Sequence, residues 1–252
     1  MNEEEALKSL RGVKFRETVV TDVTTYSPRR HFAIPPSNEK EVHLGPLALF
    51  SFIVPTHCER IAYNDGYHPL KTALCSHLKN GFFLNTKEKG VMYPVIHFTD
   101  DRESLKKQLT DELNLENEYV LHQGVYREVR SIRPENITKN GNVVQPQHIG
   151  YIVLGFKSLD KNFNQVMVDS WKDWTGARYI YMYLPDELGL TRISFYHREA
   201  PDSLNMFMYI VLVECQGIVT KEHQLRLLDF AQRIRVERMS GFVSVYGVST
   251  NQ

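Results

Sequence analysis

Short apolar runs and apolar–polar alternation dominate this sequence, and they constrain its fold more than any other feature. Alternation with a period of two is typical of β-strands, whereas a short continuous apolar run is typical of a strand that is buried on both faces. Strands are predicted at 14–23, 44–54, 119–132, 143–156, 165–168, 177–184, 191–197, 206–219 and 242–248. Asn140-Gly141 is the dipeptide favoured in a two-residue hairpin, so 119–132 and 143–156 are expected to pair.

Three segments carry a helical pattern instead. They are 2–10, which is the core of an amino-terminal element over 1–12, then 101–113, and a long late helix over 221–239. The late helix is expected to begin after Thr220 and to bury a stripe of apolar side chains. The residues predicted for that stripe are Leu225, Leu228, Ala231 and Ile234.

Strands outnumber helices and do not alternate regularly with them. This arrangement favours an α+β fold that is mainly β, namely an antiparallel β-sandwich with peripheral helices. We find no fixed-period repeat and no interdomain linker in the sequence, so residues 1–252 are expected to form a single domain.

The charge balance and the cysteines suggest a setting for the chain. Thirty Lys and Arg residues balance thirty Asp and Glu residues, which removes self-repulsion and gives no cationic field for sequence-specific nucleic-acid binding. Cys58, Cys75 and Cys215 are odd in number and widely spaced, which fits a reducing compartment. The acidic amino terminus is unlike a secretory signal, and the apolar runs are too short to span a bilayer. We therefore expect a cytoplasmic protein with no membrane partner.

Catalytic signatures are absent from the sequence. It contains no phosphate-binding loop, dinucleotide glycine pattern, nucleophile elbow or zincin helix. His57, Cys58, Cys75 and His77 lack the paired short spacings of a strong zinc site, so no metal is predicted. The prediction is a protein that is not an enzyme and that has no catalytic residues.

Two short runs of polar residues allow alternative interpretations of the function. Tyr196-His197-Arg198 at a predicted strand end could supply an acid–base histidine, although a partly exposed histidine without a reaction is the preferred interpretation. Arg29, Arg30, His31 and Phe32 lie in a predicted loop, where they could contact phosphate and stack on a base, or form a solvated basic turn.

Aromatic residues concentrate between 171 and 183. Trp171 and Trp174 precede Tyr179, Tyr181 and Tyr183, whose spacing of two predicts one shared strand face. These tyrosines are either core residues with hydrogen-bonded hydroxyls or anchors in a subunit interface.

Several local sequences resemble the polyhedrins of cypoviruses. They are Leu10-Arg11-Gly12 after the first helix, Tyr183-Leu184-Pro185 before a strand, and Tyr246-Gly247-Val248 through Asn251-Gln252 at the end. The resemblance implies a homotrimer that assembles into a higher lattice around virus particles, with the first helix reaching neighbouring trimers. It implies no required cofactor, with nucleoside triphosphate held at lattice contacts in some members of that family.

The leading hypothesis is therefore a structural protein that forms a crystalline viral occlusion body in the host cytoplasm. One alternative is a metal-independent viral nuclease or phosphodiesterase using histidine, tyrosine and lysine, and another is a host-factor binding module around Trp171 and Trp174. The expected assembly contacts are Glu3, Leu7, Leu10, Arg11, Tyr179, Tyr181 and Tyr183.

Overall fold

A computed structural model describes residues 45–56, 78, 80–101, 105, 119–134, 148–158, 164–201, 203, 205–238 and 241–248. The strands are β1 Leu47–Pro55, β2 Phe82–Thr86, β3 Val95–Thr99, β4 Tyr119–Ile132, β5 Gly150–Phe156, β6 Leu190–Ala200, β7 Tyr209–Cys215 and β8 Phe242–Val248. The helices are α1 Gln165–Asp169, α2 Trp171–Trp174, α3 Ala177–Tyr183 and α4 Lys221–Arg238, with a 3₁₀ turn at Asp186–Leu188. Within these ranges, no helix combines the length and the apolar character that a membrane crossing requires.

The eight strands close into one antiparallel barrel in the order β1-β3-β2-β8-β5-β7-β6-β4. The prediction of a β-sandwich is therefore wrong. A sandwich keeps two separate sheets with free edges, whereas here β2 pairs with β8 and β4 pairs with β6, so both edges of each potential sheet are joined.

The barrel consists of two halves with the same strand order. β4-β1-β3-β2 in the first half corresponds to β8-β5-β7-β6 in the second, and each is the order of a ferredoxin-like sheet. The halves begin with strands at 47 and 150 but end with strands at 119 and 242, so the offset grows from 103 to 123 residues. Such a drifting offset explains why no fixed-period repeat is visible in the sequence.

Aromatic side chains fill the barrel interior. They alternate along each strand with residues that point outward, as the pleat requires. Phe50 is central, because its ring lies 4.9–5.2 Å from the rings of Phe98, Tyr126 and Tyr196. The other buried residues of this cluster are Ala48, Phe52, Leu84, Tyr93, Ile96, Tyr151, Val153, Phe207, Ile210, Leu212 and Tyr246.

The outer face of the second half is covered by its helices. Trp171 of α2 stacks on Phe195 of β6 with ring centroids 5.1 Å apart, and Trp174 lies 5.4 Å from the ring of Tyr209. Burial of these large rings, at roughly 25 cal/mol per Å² of apolar surface, fixes the helix layer against the sheet.

Two predicted strands are helical in the structure. Residues 165–168 fall in α1 and residues 177–184 overlap α3. α1 begins because the Asn164 side chain accepts hydrogen bonds from the backbone N–H groups of Val166 and Met167. Tyr179, Tyr181 and Tyr183 therefore do not share a strand face.

The predicted hairpin is also wrong, because β4 pairs with β1 and β6 whereas β5 pairs with β7 and β8. The late helix is confirmed as α4, with the Thr220 hydroxyl accepting from the N–H of His223. Its buried side chains, however, are Leu227, Phe230, Ala231 and Ile234, and Leu225 is exposed. The predicted helix over 2–10, the predicted strand over 14–23 and most of the predicted helix over 101–113 lie outside the described residues.

Candidate functional site

Polar side chains meet inside one end of the aromatic barrel, here called the barrel mouth. Tyr151, Glu214 and Arg192 are Cα partners on three successive strands, β5, β7 and β6. Tyr151 lies at the start of β5, Glu214 at the end of β7 and Arg192 at the start of β6, so all three stand at the same barrel end. Glu128 of β4 completes the group through its ion pair with Arg192.

The ion pair between Glu128 and Arg192 crosses from the first half to the second. Nη2 of Arg192 donates to both carboxylate oxygens of Glu128. The Glu128 side chain is 8% exposed and that of Arg192 is 32% exposed, so the mouth is open to solvent on the arginine side. Nε of Arg192 is buried and has no hydrogen-bond partner among the described residues.

Glu214 is held by neutral donors. Its Oε1 accepts from the Thr191 hydroxyl at 2.9 Å and from Nε2 of Gln216 at 3.0 Å, and its Oε2 accepts from the Tyr151 hydroxyl at 3.3 Å. Two carboxylate oxygens offer about four acceptor positions, so a position on Oε2 is left for a further donor. The carboxylate is therefore oriented and still able to take another hydrogen bond.

The phenols of the mouth stay protonated at neutral pH. Burial raises the pKa of Tyr151 above its ordinary value, and the neighbouring charge of Glu214 raises it further. Burial also raises the pKa of Tyr196, which the charge of Glu128 reinforces. A protonated phenol is not a base at neutral pH, so Tyr151 donates its hydrogen bond to Glu214 and the carboxylates are the remaining candidates for a base.

One guanidinium thus lies between two carboxylates at an aromatic-walled opening. A carboxylate with a spare acceptor position can take a proton, and a buried guanidinium N–H can hold a negatively charged oxygen. The mouth therefore has the parts needed for proton transfer on a small molecule.

The sequence-predicted site residues do not meet at this mouth. Tyr179, Tyr181 and Tyr183 lie on α3, and Tyr179 packs against the helix-covered cluster with its ring 5.9 Å from that of Phe230. The rings of Tyr179 and Tyr183 are 4.8 Å apart, as expected one helical turn from each other, while Tyr181 and Tyr183 are exposed. The remaining predicted contacts, namely Glu3, Leu7, Leu10, Arg11, Arg29, Arg30, His31 and Phe32, lie outside the described residues.

Tyr196, His197 and Arg198 are buried within β6 and not at its end. Tyr196 belongs to the interior cluster, whereas the His197 ring lies 5.4 Å from Tyr209, which packs in the helix-covered cluster. The expected partly exposed histidine is therefore wrong. Trp171 is 2% exposed, which makes it a core residue.

Glu128, Arg192 and Glu214 were missed by sequence reasoning, although Glu214 leaves a signal. It is the one ionisable carboxylate within the strand sequence YIVLVEC of β7, where every other residue is buried and mostly apolar. A charge inside such a run indicates a paired or functional group. Pairing of Glu128 with Arg192 depends on contacts between residues 64 positions apart, which no local pattern shows.

No cluster of three His, Cys, Asp or Glu side chains suited to a metal occurs in the described part of the chain. The cofactor expectations, including nucleoside triphosphate, stay untested predictions.

Comparisons with known proteins give similarity at the level of fold. A search among curated proteins finds no significant match. Similar solved structures include an anthrone oxidase-like protein, with 10% identity, a TM-score of 0.49, and coverage of 83% of this chain and 93% of that chain. A ferredoxin-fold protein from Listeria monocytogenes related to antibiotic biosynthesis monooxygenases has 9% identity, a TM-score of 0.34, and coverage of 84% and 100%.

A chlorite dismutase from Candidatus Nitrospira defluvii has 11% identity, a TM-score of 0.43, and coverage of 82% of this chain and 92% of that chain. The names of these proteins, namely an oxidase-like protein, a relative of monooxygenases and a dismutase, run against the prediction that the chain is not an enzyme. At 9–11% identity, no reaction or residue role passes from them to this chain.

The polyhedrin resemblance is not tested by any of these similarities. The model of one sequence family, described as a domain of unknown function and designated DUF7153, matches residues 78–248. This match covers more than half of the sequence and includes seven of the eight strands. The chain therefore belongs to the DUF7153 family.

Proposed function

We propose that this protein is an enzyme that moves a proton on a small molecule bound at the barrel mouth. The observation that supports the proposal is the set of aligned neighbours Tyr151, Glu214 and Arg192, whose polar groups meet inside an otherwise aromatic barrel end. Such a combination of apolar walls and a few convergent polar groups is typical of small-molecule sites.

Glu214 is the base in this proposal. It removes a proton from a carbon beside a carbonyl group, and the electron pair of the broken C–H bond forms an enolate. The protonated Glu214 exchanges this proton with solvent and returns a proton to another position of the same molecule, so the reaction is an isomerisation that consumes no second reactant. Tyr151 keeps the carboxylate oriented through its hydrogen bond to Oε2.

Arg192 stabilises the negative charge on the enolate oxygen. Its buried Nε–H faces no acceptor among the described residues, and its ion pair with Glu128 fixes the guanidinium in place. Donors that are fixed before charge develops lower the barrier more than mobile ones, because no reorganisation is needed during the reaction.

Deuterium exchange tests the proposal without knowledge of the natural substrate. The protein is incubated in deuterated water with β-tetralone, acetylacetone and phenylpyruvate, and proton NMR follows the loss of the acidic C–H signals. We expect exchange above the protein-free rate, falling by about 100-fold in Glu214→Gln. Glu222→Gln, which changes an exposed carboxylate of α4, should leave the rate unchanged.

Equal rates for wild-type protein and Glu214→Gln, or no exchange with any of the three compounds, would contradict the proposal. Circular dichroism of Glu214→Gln confirms that the barrel is folded before the rates are compared.

The occlusion-body hypothesis, its trimer and its virus-particle partner stay predictions, since most of their expected contacts fall outside the described residues. A cytoplasmic location is likewise a proposal. The buried free thiol of Cys215 supports it, because such a thiol needs no oxidising compartment.

A further inference from the structure

Aromatic rings line the wall of the barrel mouth between Glu214 and Glu128. The Phe82 ring stacks on Tyr151 with centroids 5.7 Å apart, and it lies 5.2 Å from the ring of Phe98. Phe98 in turn lies 6.3 Å from Tyr196. These four rings form an arc, named here the ring arc, that runs from the side of Glu214 to the side of Glu128.

Phe82 makes the ring arc accessible from outside. It is half-buried at the first position of β2, whereas Phe98 and Tyr196 are 5% and 4% exposed. A flat aromatic molecule that enters the mouth therefore meets the Phe82 ring first. Contacts between aromatic rings stabilise a complex beyond the burial of their apolar area.

The charged side chains of the mouth determine which functional group a bound aromatic molecule can carry. Glu128, Glu214 and Arg192 together have a net charge of −1, which disfavours an anionic ligand. A ligand ammonium would be attracted to Glu214 but repelled by the neighbouring guanidinium, because Arg192 is the direct cross-strand partner of Glu214.

A neutral hydroxyl group can form hydrogen bonds to Glu214 and to Arg192 at the same time. Its O–H donates to the spare acceptor position of Glu214 Oε2, and its oxygen accepts from the buried Nε–H of Arg192. An enol or phenol is the tautomer that forms when the proton taken from carbon returns to oxygen, and its conjugated ring delocalises the charge of the enolate between the two steps.

We propose that the substrate class of this site is a flat aromatic or polycyclic compound with a phenolic or enolic hydroxyl. The hydroxyl lies between Glu214 and Arg192, and the ring lies against Phe82. This inference rests on the proposed function and specifies which molecules that function acts on.

Three probes of nearly equal shape test the inference on the unmodified protein. Their dissociation constants are measured by fluorescence titration of β-naphthol, β-methoxynaphthalene, which lacks the hydroxyl proton, and β-naphthylmethylammonium. We expect β-naphthol to bind about tenfold more tightly than either of the others, because only its hydroxyl satisfies the buried polar groups of Glu214 and Arg192 together.

Two variants then separate ring recognition from hydroxyl recognition. Glu214→Gln should bring the affinities for β-naphthol and β-methoxynaphthalene to within about twofold of each other. Phe82→Ala should weaken both naphthalenes by a similar factor and preserve their ratio. Met182→Ala, at an exposed position of α3, serves as the matched control and should change neither affinity.

Equal binding of the three probes, a preference for the ammonium, or no binding would overturn the inference. The deuterium-exchange experiment distinguishes failure of this substrate class from failure of the proposed function. If β-tetralone exchanges its protons in a Glu214-dependent manner while β-naphthol does not bind, then only the substrate class is wrong. If β-tetralone shows no Glu214-dependent exchange and β-naphthol does not bind, then the proposed function is contradicted together with the substrate class.

Discussion

Glu128 on β4 and Arg192 on β6 form an ion pair inside the barrel across one of the two lines where the halves of the molecule join. Arg127, the residue before Glu128, forms a second ion pair between β4 and β6 on the opposite face of the sheet. Nε of Arg127 lies 3.0 Å from Oε1 of Glu199, and both side chains are largely buried. Adjacent residues of β4 therefore bind β6 on both faces of the same strand pair.

Removal of Glu128 tests the inner pair. Glu128→Ala leaves a partly buried guanidinium without its carboxylate, so the free energy of unfolding should fall by about 2 kcal/mol. Urea unfolding measures the change. In Glu128→Leu with Arg192→Met the loss should be smaller, because no charge is left unpaired. Arg226→Ala, which breaks an exposed pair, should leave the midpoint unchanged.

The second joining line depends on Glu88. Its carboxylate accepts from Arg235 and, at 3.3 Å, from both the Ser244 hydroxyl and the N–H of Val245. Glu88→Ala should destabilise the protein by about 2 kcal/mol, because the buried Ser244 and Val245 donors and the partly buried Arg235 lose their acceptor. Hydrogen exchange at β2 should become faster than at β5, and equal protection of both strands would contradict the assignment.

Gly155 lies where a methyl group does not fit. A Cβ at this position would come within 2.6 Å of ring atoms of Phe207, and that ring is packed against Phe52 and Phe242 at 5.4 and 5.5 Å. Gly155→Ala should therefore cost about 1–3 kcal/mol of unfolding free energy through overpacking. Gly90→Asn should cost much less, since its Cβ would meet nothing within 4 Å and Asn tolerates the left-handed backbone.

Acid should weaken the first half of the barrel through His97. Burial lowers the pKa of His97 from 6.5 to about 4, although its hydrogen bond to the Asn80 carbonyl opposes the shift. The unfolded chain therefore binds a proton that the folded chain rejects, so stability falls as the pH drops from about 6.5 to about 4, by up to about 3 kcal/mol. Chemical unfolding across this range should show the slope, and His97→Gln should reduce it.

Alkali should act through the buried phenols. Burial raises the pKa values of Tyr126, Tyr151 and Tyr196 above the ordinary value of 10.0. Above that value the unfolded chain loses these protons first, so stability is present below it and is lost as the pH rises. Tyrosinate absorbance from these residues should appear together with the loss of β-sheet circular dichroism. Ionisation of all tyrosines well before unfolding would refute this.

Local patterns in the sequence predicted individual elements better than their assembly. The ranges 119–132 and 242–248 match β4 and β8, because each alternates clearly between apolar and polar residues. The segments 165–168 and 177–184 were wrongly predicted as strands because their Val and Tyr residues favour strands, whereas the Asn164 cap and the buried positions of Trp171 and Ile180 favour helices. Tertiary burial decided this segment, as is common where local propensity is weak.

The site was less predictable than the fold. Arg192 and Glu214 become neighbours through the register of β6 with β7, and Glu128 joins them only when β4 closes the barrel. Irregularities in the β4–β6 pairing, between Val125 and Tyr126 and between Glu128 and Arg130, further set which side chains face inward. Such shifts leave no mark in hydrophobic periodicity.

Among the described strands, the two halves join at the β2–β8 and β4–β6 pairs, so they resemble the two subunits of a dimer linked within one polypeptide. Cleavage between 134 and 148 would turn that closure into a bimolecular association, with two open sheet edges on each fragment. A tether also frees the halves from identical sequence, so one mouth could acquire Arg192 and Glu214 from one half and Glu128 from the other. A symmetric pair of identical chains would have to carry every such charge twice.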